Sequence, residues 1–304
     1  MKKNHKGKIV IPRKKKIALV CSGGAAKAGA YHLGVALALK EKGFHFLGGV
    51  EGDENSAKRR VDMQDKEGRE ISIYVGSSAG AIISSFLAAG YKLDTIFESF
   101  LKNKNTNKTT EQILKPMTYK LLFSLRRDTG LVNTLSSFAE DIHSFGVKKL
   151  LRGLAHDSYL NLFQMKWLKL PGFFSTSGIE KYMREDVLPS NQFSNYKADL
   201  FLVATQLNHS RKVVFGKYKE IPTTEDKNCI YMNHVTVSQA AAASTALPPV
   251  FAPYAIEGEN GKKVFYFDGE IRDTLSTHVA VDAGADLIFA SYIHQPYHFS
   301  REIG

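Results

Sequence analysis

The sequence predicts an α/β protein with a central, mostly parallel sheet. Three observations support this fold class: short apolar runs rich in β-branched residues, Ala- and Leu-rich stretches of helical composition between them, and glycine turns at the junctions. Strands that alternate with helices are typical of parallel sheets with helical connections. Hydrophobic residues make up 43% of the 304 residues and charged residues 23%, so the composition excludes a mainly disordered chain.

The first half of the chain contains two predicted strand–turn–helix units. The first is the apolar run Ile17–Cys21, followed by glycines and an Ala/Leu/Lys-rich helix over residues 25–42. The second is a strand over residues 71–75, followed by a glycine-containing turn and a helix over residues 81–89. Between the units, residues 51–70 are polar and without periodicity, and we expect them to form an exposed loop.

The second half continues the alternation after a long insert. Residues 91–170 are predicted to be mostly helical. The later predicted elements are helices over 173–188 and 235–246 and strands over 198–205, 212–215, 264–267 and 285–292. We therefore expect a basic flexible arm over residues 1–16 and one domain over residues 17–304, with a basic, mostly helical insert around residues 91–170.

The positive charge of the chain is concentrated in two segments. The formal net charge is +11, from 41 Lys and Arg against 30 Asp and Glu. Residues 1–16 hold eight basic residues and no acid, and residues 101–170 hold 12 basic against five acidic residues. The remainder is therefore slightly acidic. Each basic segment suits an anionic partner, either nucleic acid or a membrane surface.

The basic insert contains a candidate interfacial surface. Lys148, Lys149 and Arg152 are followed by apolar residues at roughly helical spacing and by Trp167, the only tryptophan. Such a segment suits docking on an anionic lipid surface, to which the 1–16 arm would add attraction. An insert helix with its apolar face in the core and its lysines in solvent explains the pattern equally well.

The sequence predicts a cytoplasmic or peripheral membrane protein. It has no run of about 18 apolar residues, which excludes a transmembrane helix. The basic N-terminus is not followed by the apolar region of a signal peptide, although secretion by a route without such a signal is compatible with the sequence. Cys21 and Cys229 are too few for a disulfide framework.

Residues 76–80 have the G-x-S-x-G pattern of a nucleophile elbow, with Gly76, Ser78 and Gly80 at its fixed positions. In such an elbow a sharp turn holds the central serine in a strained backbone, and the glycines avoid collisions. A plain Gly/Ser turn is the alternative, because the pattern also occurs by chance. The apolar strand before it and the apolar helix after it favour Ser78 as a nucleophile.

A loop of small residues follows the first predicted strand. Gly23, Gly24 and Ala25 precede Lys27 at the start of the predicted helix, so backbone N–H groups could converge on one anionic centre. The Gly-Lys-Ser/Thr ending of a phosphate loop and the G-x-G-x-x-G spacing of a dinucleotide site are both missing. The functional interpretation is an oxyanion hole to which Lys27 adds positive charge, and the alternative is a tight turn with a solvated lysine.

An acidic residue completes an ordered set of three segments. Asp268 and Gly269 close a predicted strand, which puts the acid at the sheet edge where Ser78 is expected, although an ordinary Asp-Gly turn has the same sequence. With the glycine loop, G-x-S-x-G and Asp-Gly in this order, the chain resembles the patatin-like phospholipase family from about residue 17 to 292. Further supporting stretches are residues 21–35, 174–178, 202–205, 243–248 and 284–286.

The resemblance implies a lipid acyl hydrolase with a patatin-type three-layer fold and a Ser-Asp dyad. Ser78 matches the family nucleophile, and Asp268 matches the acid of the dyad. The residues that match the oxyanion segment are Gly23, Gly24, Ala25 and Lys27. The resemblance implies neither a metal nor another cofactor.

Two positions depart from the family pattern. Ala25 stands where the family often has a third glycine, but alanine still supplies an N–H group, so we expect the oxyanion hole to form. Glu270 follows Asp268 and Gly269 where the family has glycine or alanine. We expect this second carboxylate either to raise the pKa of Asp268 or to face solvent.

Three other functions fit parts of the sequence. A Ser-His-Asp hydrolase would take its base from His278, His294 or His298, but the chain lacks an HGGG-type loop. Because Glu270 departs from the family pattern next to the dyad, a catalytically weak, lipid-binding pseudoenzyme is a second alternative. A nucleic-acid-binding protein would use the basic segments but leaves the ordered motifs unexplained, so we expect no nucleic-acid partner.

Overall fold

A computed structural model describes residues 2–3, 9–10, 14–52, 69–100, 114–117, 124–125, 172, 174–218, 228–258 and 261–293. Within these residues the chain forms one nine-stranded sheet covered by helices. Two short strand pairs lie outside it, Lys2–Lys3 with Ile9–Val10 and Ser124–Leu125 with Phe174–Ser175. None of the described helices is long and apolar enough to cross a membrane.

The sheet is mixed, and its centre is parallel. Its strands are β1 (Ile17–Cys21), β2 (His45–Phe46), β3 (Glu70–Ser77), β4 (Asp199–Gln206), β5 (Arg211–Gly216), β6 (Cys229–Met232), β7 (Tyr254–Glu257), β8 (Lys263–Asp268) and β9 (Leu287–Ser291). The main order is β6-β5-β4-β3-β1-β9. β9, β1, β3 and β4 run parallel, β2 adds to β3, and β7 and β8 form an antiparallel pair that joins β4.

One edge of β4 is shared by two strands. β5 pairs along the opposite edge from Phe201 to Gln206, so β3 and β8 both lie along the remaining edge. The pairing with β3 ends at Val203, opposite Ser77, and the pairing with β8 starts at Ala204, opposite Asp268. The carboxyl ends of β3 and β8 therefore meet at two consecutive residues of β4.

Helices lie on both faces of the sheet. They are α1 (Ala25–Glu41), α2 (Ala79–Ala88), α3 (Leu93–Phe100), α4 (Ser177–Tyr182), α5 (Val237–Ser244) and α6 (Thr277–Asp282). Apolar residues of α1 to α5 pack in one buried cluster, and Val279 and Ala280 of α6 pack in a second. A π-helical turn at Met183–Val187 continues α4, and 3-10 turns lie at Phe193–Asn195 and Gly269–Ile271.

The central strands are buried on both faces, which explains their continuous apolar runs. In β1, Ile17, Leu19 and Cys21 belong to one apolar cluster, whereas Ala18 and Val20 belong to the other. A strand between two helical layers has no polar face, so its sequence does not alternate. The predicted α/β class with a mostly parallel sheet in three layers is confirmed.

The structure differs from the predicted elements in several places. β3 extends to Ser77, two residues beyond the predicted strand. The single helix expected over residues 173–188 is split into α4 and the π-helical turn, because the chain widens to five-residue hydrogen bonding after Tyr182. Strands β2, β6 and β7 were not predicted. Of the expected insert, only residues 91–100, 114–117 and 124–125 are described, so its helical character beyond α3 falls outside the described residues, as does most of the arm.

The close approach of α2 to β1 predicts a specific cost for a larger residue at Gly80. A Cβ there would lie 2.3 Å from the Cys21 carbonyl oxygen, so Gly80→Ala should lower the free energy of unfolding by about 1–3 kcal/mol. Gly34→Ala is the matched control, because Gly34 is exposed on α1 and a Cβ there meets nothing within 4 Å. It should raise stability by about 0.5–1 kcal/mol. Urea unfolding followed by circular dichroism measures both changes, and equal midpoints for the two variants would contradict the packing.

Candidate active site

Ser78 lies at a strained turn between β3 and α2. Its φ of 53° and ψ of −121° are unusual for a residue with a side chain, and such a conformation costs on the order of 1–3 kcal/mol. A Cβ at Gly76 would lie 2.4 Å from the Gly80 carbonyl oxygen, so the turn needs small residues at both motif positions. Ser78 is thus held by the strand–turn–helix geometry that the G-x-S-x-G pattern predicts.

A buried serine of α5 fixes this turn. The Ser78 N–H donates a hydrogen bond of 2.9 Å to Ser244 Oγ, whose hydroxyl donates one of 2.6 Å to the Val203 carbonyl. Ser244 was not among the site residues predicted from the sequence. It lies in the stretch 243–248 that resembles the family, directly after four alanines, but its partners are 166 and 41 residues away along the chain, so local sequence does not reveal its contacts.

Asp268 lies beside Ser78 at the end of β8. Its side chain is completely buried, and Oδ1 accepts a hydrogen bond of 2.9 Å from the Glu270 N–H. Burial raises the pKa of Asp268 to about 7, against lowering contributions from the Ser78 hydroxyl and the Glu270 N–H. Among the described residues, no hydrogen bond of standard geometry reaches Oδ2. Oδ2 is therefore available to accept a proton near neutral pH.

The glycine loop lies directly against Ser78. A Cβ at Gly23 would be only 2.8 Å from the Ser78 Cβ. Gly24 and Ala25 have positive φ angles of 133° and 56°, and α1 begins at Ala25 with Lys27 exposed in its first turn. The loop thus brings backbone N–H groups and the positive end of a helix next to the serine.

A buried histidine supports the glycine loop. His32 Nε2 lies 2.7 Å from the Ser22 carbonyl oxygen, and Nδ1 lies 2.6 Å from Ser291 Oγ at the end of β9. Because a carbonyl only accepts, Nε2 carries the proton and Nδ1 accepts from the Ser291 hydroxyl. Burial lowers the pKa of His32, which favours this neutral form. His32 was not predicted as a site residue, because an isolated histidine in a helix forms no recognisable pattern.

Glu270 points into the site rather than into solvent. A Cβ at Gly23 would lie 2.4 Å from the Glu270 Cγ, and both carboxyl oxygens of Glu270 are buried. Burial, together with Asp268 and Asp273, raises the pKa of Glu270 to about 7, whereas the Gly23 N–H and the Ser77 hydroxyl lower it. The expectation that Glu270 faces solvent is therefore wrong, and the main cause of the raised pKa of Asp268 is burial.

Of the three histidines considered for a triad, the structure describes His278, which is not among the groups that shift the pKa of Asp268. Of the described groups, those that shift the pKa of Asp268 are Ser78 and Glu270. His278 lies in α6, whose apolar residues pack in the cluster on the other side of the sheet from α2. His294 and His298 fall outside the described residues.

The link through Ser244 predicts a change in the reactivity of Ser78. Ser244→Ala leaves a buried N–H and a buried carbonyl without this partner, which should cost about 1–3 kcal/mol of unfolding free energy. It should also slow labelling of Ser78 by a fluorescent phosphonate. The control is Ser85→Ala, because the buried Ser85 hydroxyl bonds only to Ala81 of its own helix. Equal labelling rates for the two variants would refute this role.

One comparison with known proteins identifies the family of the chain. A family model described as patatin-like phospholipase matches residues 19–281. A search of curated proteins gave no match. The crystal structure of VipD from Legionella pneumophila is similar over 90% of this chain and 49% of that chain, with 18% identity and a TM-score of 0.35. The chain thus spans about half the length of VipD. On the family match, which covers most of its length, the chain belongs to the patatin-like phospholipase family.

Proposed function

We propose that this chain is a lipid acyl hydrolase of the phospholipase A or lysophospholipase type, which cleaves carboxylic esters of membrane lipids through a Ser78–Asp268 dyad. Members of its family are lipid hydrolases. The observation that carries the proposal is the position of Ser78 beside the buried Asp268 carboxyl, because Ser77 and Asp268 pair with the adjacent residues Val203 and Ala204 of β4. A strained serine next to a buried base is the arrangement that nucleophilic acyl transfer requires.

In the first half of the reaction, the Asp268 carboxylate takes the proton of the Ser78 hydroxyl while Ser78 Oγ attacks the ester carbonyl carbon. The carbonyl oxygen becomes an oxyanion held by backbone N–H groups of Gly23 to Ala25, each worth roughly 3 kcal/mol in such a site. When the oxyanion collapses, the bond to the alcohol oxygen breaks. That oxygen takes the proton from Asp268 and leaves an acyl group on Ser78.

In the second half, water replaces the alcohol. Asp268 takes a proton from the water, whose oxygen attacks the acyl carbon and forms a second oxyanion in the same loop. Collapse releases the fatty acid and returns the proton to Ser78 Oγ. The raised pKa of Asp268 suits these steps, because a base with a pKa near the working pH both accepts and returns a proton readily.

The dyad predicts the effects of two substitutions. Ser78→Ala should abolish phosphonate labelling and ester hydrolysis, and Asp268→Asn should lower kcat/KM by about 10²–10⁴-fold. Because Asp268 acts as the carboxylate, wild-type kcat/KM should be low at pH 5 and rise as the pH approaches about 7. Hydrolysis of a panel of phospholipid, lysophospholipid, galactolipid and neutral glyceride measures these effects and identifies the substrate class. Full activity in Asp268→Asn would refute the dyad, and phosphonate labelling without hydrolysis of any lipid would favour the pseudoenzyme.

A stability measurement separates loss of the base from loss of the fold. A buried carboxyl whose pKa is raised on folding binds more protons in the folded protein, so the free energy of unfolding falls as pH rises from about 4 to about 7. In Asp268→Asn the free energy of unfolding should not fall in this way, since the amide is neutral at every pH. The inactive variant should therefore unfold at higher urea than the wild type at pH 8.

We further propose that an anionic membrane surface is the partner that presents the lipid, on the basis of the charge in residues 1–16 and 101–170. The three basic residues Lys148, Lys149 and Arg152 and the neighbouring Trp167 lie outside the described residues, so the proposal depends on the sequence. The triple variant Lys148→Glu/Lys149→Glu/Arg152→Glu should bind anionic vesicles at least tenfold more weakly in a sedimentation assay. Unchanged binding would refute this docking surface.

A further inference from the structure

The Glu270 side chain lies against Gly23, whose N–H group is one of those assigned to the proposed oxyanion hole. Its side chain packs on Gly23, because a Cβ at Gly23 would lie 2.4 Å from Glu270 Cγ and 2.9 Å from Cδ. The same Cβ would be 2.8 Å from the Ser78 Cβ, so Glu270 and Ser78 both flank Gly23. The Gly23 N–H is close enough to lower the pKa of Glu270.

We propose that Glu270 is a third functional side chain of this site, which occupies the Gly23 N–H that the substrate carbonyl needs and limits turnover to the enzyme form in which Glu270 is uncharged. The inference rests on the proposed function, since it concerns the oxyanion hole of the same reaction. Glu270 is also one of the two positions at which the sequence departs from the family pattern.

The contact between the Glu270 carboxyl and the Gly23 N–H is strong when Glu270 is charged and weak when it is protonated. A carboxylate accepts a charge-assisted hydrogen bond from an N–H group and repels a second negative charge beside it. A protonated carboxyl is a poorer acceptor, leaves the developing oxyanion unopposed, and offers its own O–H as a donor. Both Glu270 oxygens are buried and make no hydrogen bond of standard geometry to described residues, so a substrate carbonyl can displace the protonated carboxyl from Gly23.

The groups around Glu270 determine how it titrates. The Gly23 N–H faces it from the β1–α1 loop and the Ser77 hydroxyl from the end of β3, and both favour the charged form. Asp268 and Asp273 face it from its own segment and disfavour that form. The two neighbouring carboxyls, Asp268 and Glu270, therefore titrate as a coupled pair. The productive state carries one proton, on Glu270, with Asp268 charged as the base.

Glu270→Gln tests the proposal through the pH profile of kcat/KM. In the wild type, activity should rise with ionisation of Asp268 and then fall as Glu270 ionises, giving a bell with its maximum near pH 7. Two pH units above a pKa of about 7, only about one molecule in 100 keeps the proton, so the wild type should lose up to about 100-fold by pH 9.

The variant should differ from the wild type on the falling limb alone. Glu270→Gln should stay at its plateau up to pH 9, because the amide does not ionise. Its rising limb should stay where it is in the wild type, because Glu270 is already neutral when Asp268 ionises. Glu41→Gln, an exposed glutamate at the end of α1, is the matched control and should keep the wild-type bell. Superimposed profiles for wild type and Glu270→Gln would overturn the proposal, and equal melting temperatures show that the fold is intact.

A second measurement does not depend on hydrolysis. The ¹⁵N–¹H resonance of Gly23 should shift with pH in the wild type and in Asp268→Asn but not in Glu270→Gln, since Glu270 is the group on that amide. A shift that persists in Glu270→Gln and disappears in Asp268→Asn would assign the effect to Asp268 and overturn the proposal. Lipid hydrolysis retained by Ser78→Ala would instead overturn the proposed function, while the Gly23 titration would still show whether Glu270 holds the amide.

Discussion

The candidate site depends on the pairing register of β4. One edge of β4 pairs first with β3 and then with β8, and the change of partner falls between Val203 and Ala204. The first strand ends at Ser77, before the strained serine, and the second ends at Asp268. A shift of either strand by one residue would turn its side chains to the opposite face and separate the two groups. Ser244 adds a constraint, because it hydrogen-bonds both Val203 and the Ser78 N–H.

Burial gives the two carboxyls of the site their chemical character. Asp268 has no exposed surface, and burial is the largest cause of its raised pKa, as it is for Glu270. The same loss of hydration that raises the pKa of Asp268 makes its charged form costly in the folded protein. Together with the positive φ of Ser78, this means that the two groups of the proposed dyad lower stability while the surrounding sheet and helices hold them in position.

The sequence predicted those parts of the site that local patterns determine. The turns around Ser78 and after Asp268 follow from glycines next to apolar runs, and the three-layer fold follows from strands without a polar face. Contacts between distant residues left no such pattern, so the support from His32 and the position of Glu270 against Gly23 were missed. Strand β2 was also missed, because two residues are too few to show a period. The break of the helix after Tyr182 depends on hydrogen bonding that composition does not reveal.

The last strand of the sheet, β9, determines when during synthesis the glycine loop gains part of its support. The loop near the start of the chain is held by the Ser22 N–H bond to the Ser291 carbonyl and by His32, which bonds Ser291 Oγ. Since the ribosome makes His32 259 residues before Ser291, both of these bonds are missing until β9 has emerged. A nascent chain that already contains Ser78 and Asp268 therefore still lacks this support beside the serine. The order of the strands in the sequence thereby leaves the candidate site incomplete until synthesis has reached β9.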